Sequence, residues 1–327
     1  MLALAIAGPS RAEPVTVLRL ATQAPDGTGW AREFRAFARE VEIATHGNVT
    51  VKWYFGGIAG DEVEVEARMQ RGQLDGTASG GVLCQRSSPT MRVIGLQGMV
   101  QTREEARHLH GRLRNEIAAE IAQRGLVLLG TPGLGPQLLF LRNAVHTLDE
   151  LRQVKLWRWD IEEAAISVTR ANRFHVVPLP LLQASRAYDD GAIDGFVSFP
   201  AAALAFQWYT RARYLLNLPM GFLTGCLVAT QRAFERMSTE DQNVVRSAAA
   251  KAMVRVDDLM RQQDAALLGG AFQRQGMQLL PVDARMRSEY FQSTRTAREQ
   301  MGEQFGASEL VRRVLSLLAD FRAEHPQ

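Results

Sequence analysis

The sequence predicts an α/β protein built from two similar lobes, and three observations support this prediction. Strand and helix patterns alternate from residue 15 onward, as they do in a parallel α/β layer. The phrase RGQLDG, which begins at Arg71, recurs as DGAIDG from Asp190, and each copy lies between a helix pattern and a strand pattern. A helix predicted over residues 239–268, about 45 Å long by helical rise, could lie across both lobes.

The elements of the first half follow from hydrophobic periodicity. Residues 15–22 and 49–54 are rich in β-forming residues and predict strands. Apolar residues at helical spacing predict a helix over 30–45. The remaining elements are helices at 61–71 and 104–124, a buried strand at 126–130, a rigid loop at 131–136 and a strand at 137–142. Asp75 and Asp194 occupy matching positions in the repeated phrase, so each is expected to support the start of a strand in its own lobe.

The second half continues the same alternation. The predicted helices are 162–172, 180–189, 201–208, 239–268, 283–304 and 308–324, and the predicted strands are 174–179, 213–218, 225–230 and 277–280. We assign residues 13–140 with 224–270 to lobe I, and residues 141–223 with 271–327 to lobe II.

A short strand with two tryptophans stands near the middle of the chain, in the segment LDELRQVKLWRWD from Leu148. Side chains alternate between the faces of a strand. Trp157 and Trp159 therefore share one face, and Arg158 points to the opposite face. The tryptophans either pack in the core or line a ligand cleft, because an indole needs cover for its ring and a partner for its N–H.

Composition limits the classes of function. The chain has 327 residues, enough for two domains, and its net charge is only +3. Basic residues are scattered among acidic ones, so nucleic-acid binding has no support. Residues 1–12 resemble the end of a secretory signal, which predicts an exported, periplasmic protein; a disordered or strand-like start is the alternative. No other stretch is apolar enough to predict a membrane helix.

Motifs for chemistry are missing from the sequence. It contains no nucleophile elbow, phosphate-binding loop, dinucleotide fingerprint or zinc-ligand spacing, so we expect no enzyme activity, no metal and no cofactor. The two cysteines, Cys84 and Cys226, are far apart. Export would permit a disulfide between them, but two buried free thiols are the favoured expectation.

Several phrases together resemble one family of binding proteins. They are FGG from Phe55, QRGQLDG from Gln70, LDELRQVKLW from Leu148, VVPLP from Val176, GAIDGF from Gly191 and FERMSTEDQNVVRSAAA from Phe234. In order and spacing they resemble the solute-binding proteins of tripartite ATP-independent periplasmic (TRAP) transporters, of the C4-dicarboxylate-binding type. The resemblance implies a two-lobed periplasmic binding protein with a central cleft, which closes on a small organic ligand and delivers it to membrane permease subunits. It leaves a monomer and a homodimer open.

The chain departs from this family where the ligand is expected. Trp157 stands where family members usually carry the arginine that pairs with the substrate carboxylate, and the stretch before Gln137 also lacks an arginine. We therefore predict a cleft of apolar and aromatic residues and a ligand that is apolar or amphipathic, not a simple C4-dicarboxylate. The predicted ligand-binding residues are Trp157, Arg158, Gln137, Phe199, Met220 and Phe222, with Phe206 beside them.

Three alternatives stay open at this stage. A bulge in the tryptophan strand would turn Arg158 towards the cleft, or else Lys155, Gln137 or Arg142 would supply a positive or polar group. The second alternative is a periplasmic carrier of an apolar or amphipathic ligand that works without a TRAP permease. An enzyme that uses the same cleft is the least favoured class.

Overall fold

The computed structural model describes residues 15–325. The secretory-signal prediction for residues 1–12 lies outside the described residues. The strands are β1 (Thr16–Thr22), β2 (Val49–Tyr54), β3 (Gly76–Ser79), β4 (Leu126–Gly130), β5 (Gly133–Leu141), β6 (Leu156–Trp159), β7 (Val176–Leu179), β8 (Gly195–Ser198), β9 (Tyr214–Thr224), β10 (Cys226–Thr230) and β11 (Gln278–Leu280).

The helices alternate with these strands. They are α1 (Gly29–Ala44), α2 (Glu62–Gln70), α3 (Val82–Ser87), α4 (Pro89–Ile94), α5 (Arg103–Arg112), α6 (Arg114–Ala122), α7 (Leu148–Gln153), α8 (Glu163–Ala171), α9 (Ala184–Asp189), α10 (Pro200–Ala205), α11 (Gln231–Phe234), α12 (Thr239–Ala266), α13 (Phe272–Arg274), α14 (Ala284–Gln304) and α15 (Ser308–Glu324). Within residues 15–325, no helix combines the length and the apolar character needed to span a bilayer.

Two sheets form the centres of two lobes, as predicted. The first sheet has the order β2-β1-β3-β10-β4, and the second has the order β11-β9-β5-β8-β6-β7. In the first sheet, β1 is parallel to β2 and β3, whereas β10 is antiparallel to β3 and β4. The chain passes between the sheets three times: from β4 into β5, from β9 into β10, and through α12 from β10 to β11.

Both faces of each sheet are covered. In β5, Leu138 and Phe140 pack in one cluster of buried side chains and Leu139 and Leu141 pack in another, because side chains alternate between the two faces of a strand. Helix α12 packs against α1 of the first lobe, and Leu267, just after its end, joins a core cluster of the second lobe. The prediction of a long helix in contact with both lobes is confirmed.

The repeated phrase performs the same task in each lobe. Asp75 is buried and accepts hydrogen bonds from the backbone N–H (2.9 Å) and side chain (2.7 Å) of Arg19 on β1. Asp194 forms an ion pair with Lys155 at 3.4 Å, and its backbone N–H donates to the Lys155 carbonyl oxygen. Each aspartate therefore ties the start of one strand to a neighbouring strand, as the sequence predicted.

Three local predictions were wrong, and four short helices were not predicted. The helix predicted over 104–124 is two helices that meet at Leu113, near Gly111, a residue that disfavours helix. Residues 133–136 of the predicted loop 131–136 belong to β5, because their backbone pairs with β9, with a register shift between Gly133 and Gly135. Strand β9 continues past residue 218 to Thr224. The unpredicted helices are α3, α4, α7 and α11.

The cysteines form a disulfide, which corrects the expectation of two free thiols. Cys84 on α3 and Cys226 on β10 are bonded, with their Cα atoms 6.0 Å apart. Both residues are buried in the first lobe. The prediction failed because 142 positions of sequence separate residues that the fold makes neighbours.

The strand pairing and core packing differ in two places from the proposed lobe boundaries, which were set at 140/141, 223/224 and 270/271. The first boundary falls inside β5, and all of β5 pairs in the second sheet. Helix α15, which the proposed division gives to lobe II, packs Val311, Val314 and Leu318 into a core cluster of the first lobe. The division of the chain into lobes remains a proposal.

Candidate functional site

A cavity of about 140 Å³ lies between the two sheets. Thr22 and Ser79, at the carboxyl ends of β1 and β3, line it from the first lobe, and Trp159 and Ser198, at the carboxyl ends of β6 and β8, line it from the second. The carboxyl ends of strands are where α/β proteins commonly bind ligands. An apolar cavity of about 150 Å³ holds benzene, so the space suits a small organic molecule.

Seven aromatic side chains line the cavity. They are Trp30, Phe34, Trp157, Trp159, Phe199, Phe206 and Trp208. Trp30 lies 5.7 Å from Phe199, between ring centroids, and Trp208 lies 5.1 Å from both Trp157 and Phe206. These distances are typical of attractive aromatic pairs, so the rings support one another around the space.

Strand β6 presents its tryptophans to the cavity as the alternation predicted. Trp157 and Trp159 are buried and line the space, and the indole N–H of Trp157 donates to the Leu179 carbonyl oxygen at 3.0 Å. The same two residues belong to a core cluster. Core packing and cavity lining, the two roles considered for these tryptophans, therefore occur together.

Arg158 lies on the other face of β6. Its side chain is 2% exposed and is not among the cavity-lining residues; its nearest acidic partner is Glu162, at 3.8 Å. Residues 156–159 of β6 pair with β7 in unbroken parallel register, so no bulge turns Arg158 inward. Burial lowers the pKa of the guanidinium, and Glu162 opposes that effect.

The other basic candidates also lie away from the cavity wall. Lys155 pairs with Asp194 and donates to the Gly191 carbonyl oxygen at 2.5 Å. Arg142 donates to the Tyr188 carbonyl oxygen and lies over the Tyr188 ring. Both side chains secure the start of β8, and neither is a lining residue.

The remaining predicted residues divide between the cavity and its surroundings. Gln137 on β5, together with Phe199 and Phe206, lines the cavity. Met220 is fully buried in the second-lobe core, where its carbonyl oxygen accepts the Tyr290 hydroxyl hydrogen at 3.1 Å. Phe222 lies beneath Arg103, whose guanidinium carbon is 5.1 Å from the ring centroid, and it lines a neighbouring cleft.

The structure adds Glu62, which sequence analysis missed. Glu62 is the first residue of α2, and its carboxylate accepts hydrogen bonds from the Ser79 hydroxyl (2.6 Å), the Gly80 N–H (2.6 Å) and the Leu83 N–H (2.8 Å). It is buried and lines the cavity. Burial raises the pKa of the carboxyl, and these hydrogen bonds counteract part of that rise. Its sequence signal was slight, since acidic residues are common in the first turn of a helix.

Glu162, also missed, faces the cavity from the second lobe. Burial raises the pKa of this carboxyl, the nearby Arg158 lowers it, and the Glu62 carboxylate raises it. The two carboxylates therefore line one cavity, Glu62 from the first lobe and Glu162 from the second.

The charge on the cavity wall has one sign. Among the lining residues of the described chain, Glu62 and Glu162 carry charge, and no lysine, arginine or histidine joins them. Residues 15–325 contain no group of three or more histidine, cysteine, aspartate or glutamate side chains placed to hold a metal ion. The wall can cover an apolar body and can attract a positive group.

A wider cleft of about 450 Å³ adjoins the cavity, and both share Gly80, Val82, Gln137, Glu162 and Leu223. Basic side chains lie in this cleft instead, at positions 86, 92 and 124. The Arg86 side chain of α3 lies 3.1 Å from Glu66 and 3.9 Å from Glu163 of α8, so it links the two lobes outside the cavity.

Residues 20–304 match the family described as bacterial extracellular solute-binding protein, family 7. A solute-binding protein of Chromohalobacter salexigens is 23% identical over 70% of this chain and 71% of its own length.

Solved structures share the fold. An extracytoplasmic solute receptor of Bordetella pertussis that binds pyroglutamic acid superposes with a TM-score of 0.83 and 20% identity, covering 92% of this chain and 100% of its own. A TRAP periplasmic solute-binding protein of Haemophilus influenzae with bound L-gulonate superposes with a TM-score of 0.85 and 15% identity, covering 92% of this chain and 99% of its own. A sugar acid binding protein of Advenella mimigardefordensis, in complex with galactonate, superposes with a TM-score of 0.85 and 18% identity, covering 94% of this chain and 98% of its own.

Proposed function

The chain belongs to family 7 of the bacterial extracellular solute-binding proteins, and we propose that it captures a small organic solute in the aromatic cavity between its lobes, in the periplasm. It then delivers the solute to the membrane permease subunits of a TRAP-type transporter. Binding, without chemical conversion, is the whole task of the site. The observation that carries the proposal is the cavity itself, which lies at the carboxyl ends of strands from both sheets.

Capture works through contacts that both lobes make at once. Trp30 and Glu62 belong to the first lobe, and Trp157 and Glu162 belong to the second. A solute that touches all four side chains stabilises the closed arrangement, because these contacts exist together only when the lobes are close. The two direct strand connections between the sheets, β4 to β5 and β9 to β10, are the natural place for the hinge.

The solute is not a simple C4-dicarboxylate. A dicarboxylate in this cavity would face Glu62 and Glu162 without a basic side chain on the wall, and burying an unpaired charge is strongly unfavourable. The cavity volume also excludes large apolar ligands such as sterols and long fatty acids. The predicted apolar or amphipathic ligand must therefore also be a small molecule.

Thermal-shift and fluorescence measurements test the proposal. Four of the five tryptophans line the cavity, so a bound solute should change the intrinsic fluorescence. The mature chain is screened against small cations, neutral polyols, monocarboxylates and dicarboxylates. A solute at 100 times its Kd should stabilise the protein by about 2.7 kcal/mol.

Two alanine variants locate the response. Trp157→Ala removes an indole from the cavity wall, and Trp53→Ala removes one that stacks on Phe34 outside the cavity. The proposal expects the first variant to abolish the shift and the second to retain it. Equal loss in both variants, or no response to any small solute, would contradict it.

Delivery is tested by transport. Uptake of the identified radiolabelled solute into proteoliposomes that carry the TRAP permease of the same organism should require this protein. Uptake that is unchanged when the protein is omitted would separate it from the transporter.

A further inference from the structure

We propose that the solute carries a positively charged nitrogen group, held between Glu62 and Glu162 against the aromatic wall. This inference rests on the proposed function and names the chemical class of its solute. It follows from the charge, hydrogen bonding and ring arrangement of the cavity.

Glu62 is organised as an ionised carboxylate without a counter-ion. Its Oε1 accepts the Gly80 N–H, and its Oε2 accepts the Ser79 hydroxyl and the Leu83 N–H. The Ser79 oxygen itself accepts the Gly81 N–H at 2.9 Å, which leaves the Ser79 hydrogen to donate to Glu62. No basic side chain in residues 15–325 forms an ion pair with this carboxylate.

The second carboxylate has a partner that the first lacks. Glu162 has Arg158 behind it at 3.8 Å. When both carboxylates are ionised, Glu62, Glu162 and Arg158 together carry one net negative charge. Burial makes such a charge unfavourable, so one cationic group between the carboxylates would neutralise it.

The aromatic wall favours an organic cation as the source of that charge. The faces of indole rings attract ammonium groups, and tryptophan does so most strongly. Trp30, Trp157, Trp159 and Trp208 all line the cavity. A hydrated metal ion would find mostly apolar carbon here, whereas an alkylated ammonium group meets rings through its methyl groups and carboxylates through its charge.

The decisive test uses two solutes of one shape. Choline and 3,3-dimethylbutan-1-ol differ in that a neutral carbon replaces the charged nitrogen. Calorimetric titration of the wild-type protein at pH 7 should show choline binding at least about 30-fold more tightly, the ratio expected for a desolvated cation–π contact. If the neutral alcohol binds as tightly, the inference is overturned.

Charge variants give a second, independent readout. Glu62→Gln and Glu162→Gln should each weaken choline binding at least about tenfold, since each removes one charged contact. The controls are Glu42→Gln on α1 and Glu299→Gln on α14. Both side chains are exposed and line neither the cavity nor the adjoining cleft, so both variants should bind choline like the wild type. Losses as large in the controls would also overturn the inference.

The outcomes separate this inference from the function it rests on. Tight binding of pyroglutamate or succinate, with choline inert, would overturn the cationic solute and leave solute capture intact. A fluorescence response to calcium or sodium ions alone, removed by a chelator in the case of calcium, would assign the carboxylates to a metal and also overturn it. No response to any solute class would contradict the proposed function itself.

Discussion

Reducing the disulfide should destabilise the protein strongly and weaken solute binding as well. Cys84 and Cys226 are 142 positions apart, so the bond closes a long loop in the unfolded chain. For that length the chain-entropy relation gives about 5 kcal/mol of stabilisation at 25 °C. Dividing this loss of stability by the entropy of unfolding expected for the 311 residues that the structure describes gives a fall in Tm of about 8 °C.

The bond also has a place in the site. Cys84 lies in the first turn of α3, directly after the segment whose Gly80 and Leu83 N–H groups hold Glu62. Cys226 lines the cavity from β10. Breaking the bond removes the covalent link between this segment and the sheet, so we expect solute affinity to fall together with stability.

Urea unfolding followed by circular dichroism measures the stability, with oxidised and reduced wild-type protein compared under the same conditions. The double variant Cys84→Ala/Cys226→Ala is the control, because reductant should leave its unfolding midpoint unchanged. Equal midpoints for the oxidised and reduced wild type would refute the reasoning. So would rapid alkylation of both cysteines in native protein that has never met a reductant.

Three further predictions follow from buried charges. Asp75→Asn should lower the free energy of unfolding by about 2–3 kcal/mol at pH 7. Burial raises the pKa of Asp75, but the hydrogen bonds and charge of its arginine partners lower it more, so the folded-state pKa lies below 3.8. The stability advantage of the wild type over Asp75→Asn should therefore be complete above pH 3.8 and disappear as the pH falls through the folded-state pKa. A stability advantage that urea unfolding shows to be independent of pH would contradict this. Arg103→Met should cost about 3–5 kcal/mol because it leaves the buried Asp264 of α12 without its ion-pair partner, whereas Asp257 keeps Arg107. A loss below about 1 kcal/mol in chemical unfolding would count against this. Choline affinity, measured by calorimetry, should fall as the pH drops through the raised pKa of Glu62, because a cation prefers the ionised carboxylate. Glu162, the other acidic residue on the cavity wall, has a raised pKa as well. An affinity unchanged between pH 8 and pH 4.5, the ordinary pKa of a glutamate, would refute this.

Local pattern was sufficient to predict the architecture. The β-α-β-α order from residue 15, the repeated phrase around Asp75 and Asp194, and the uninterrupted α12 pattern are properties of short windows, so they could be read without knowing the tertiary contacts. The two faces of β6 were predicted for the same reason, because alternation along a strand fixes where Trp157 and Arg158 point.

The features that were missed depend on residues that are distant in sequence. The Cys84–Cys226 bond and the pairing of the Gly133 segment with β9 are both set by tertiary contacts. Glu62 looks like an ordinary residue in the first turn of a helix, and its role emerges only when the 79–83 segment wraps its carboxylate. The presence of acidic residues and the absence of basic ones on the described cavity wall could not be predicted, because the fold decides which charged side chains point away from the cavity.

One calorimetric experiment tests the central claim most directly, namely that this family member has exchanged recognition of dicarboxylates for an aromatic, acidic cavity. Wild-type protein, freed of any bound solute by unfolding and refolding, is titrated with succinate at pH 7. The structure predicts no saturable heat up to about 1 mM succinate, which corresponds to a binding free energy weaker than about −4 kcal/mol. A micromolar Kd for succinate would contradict the account.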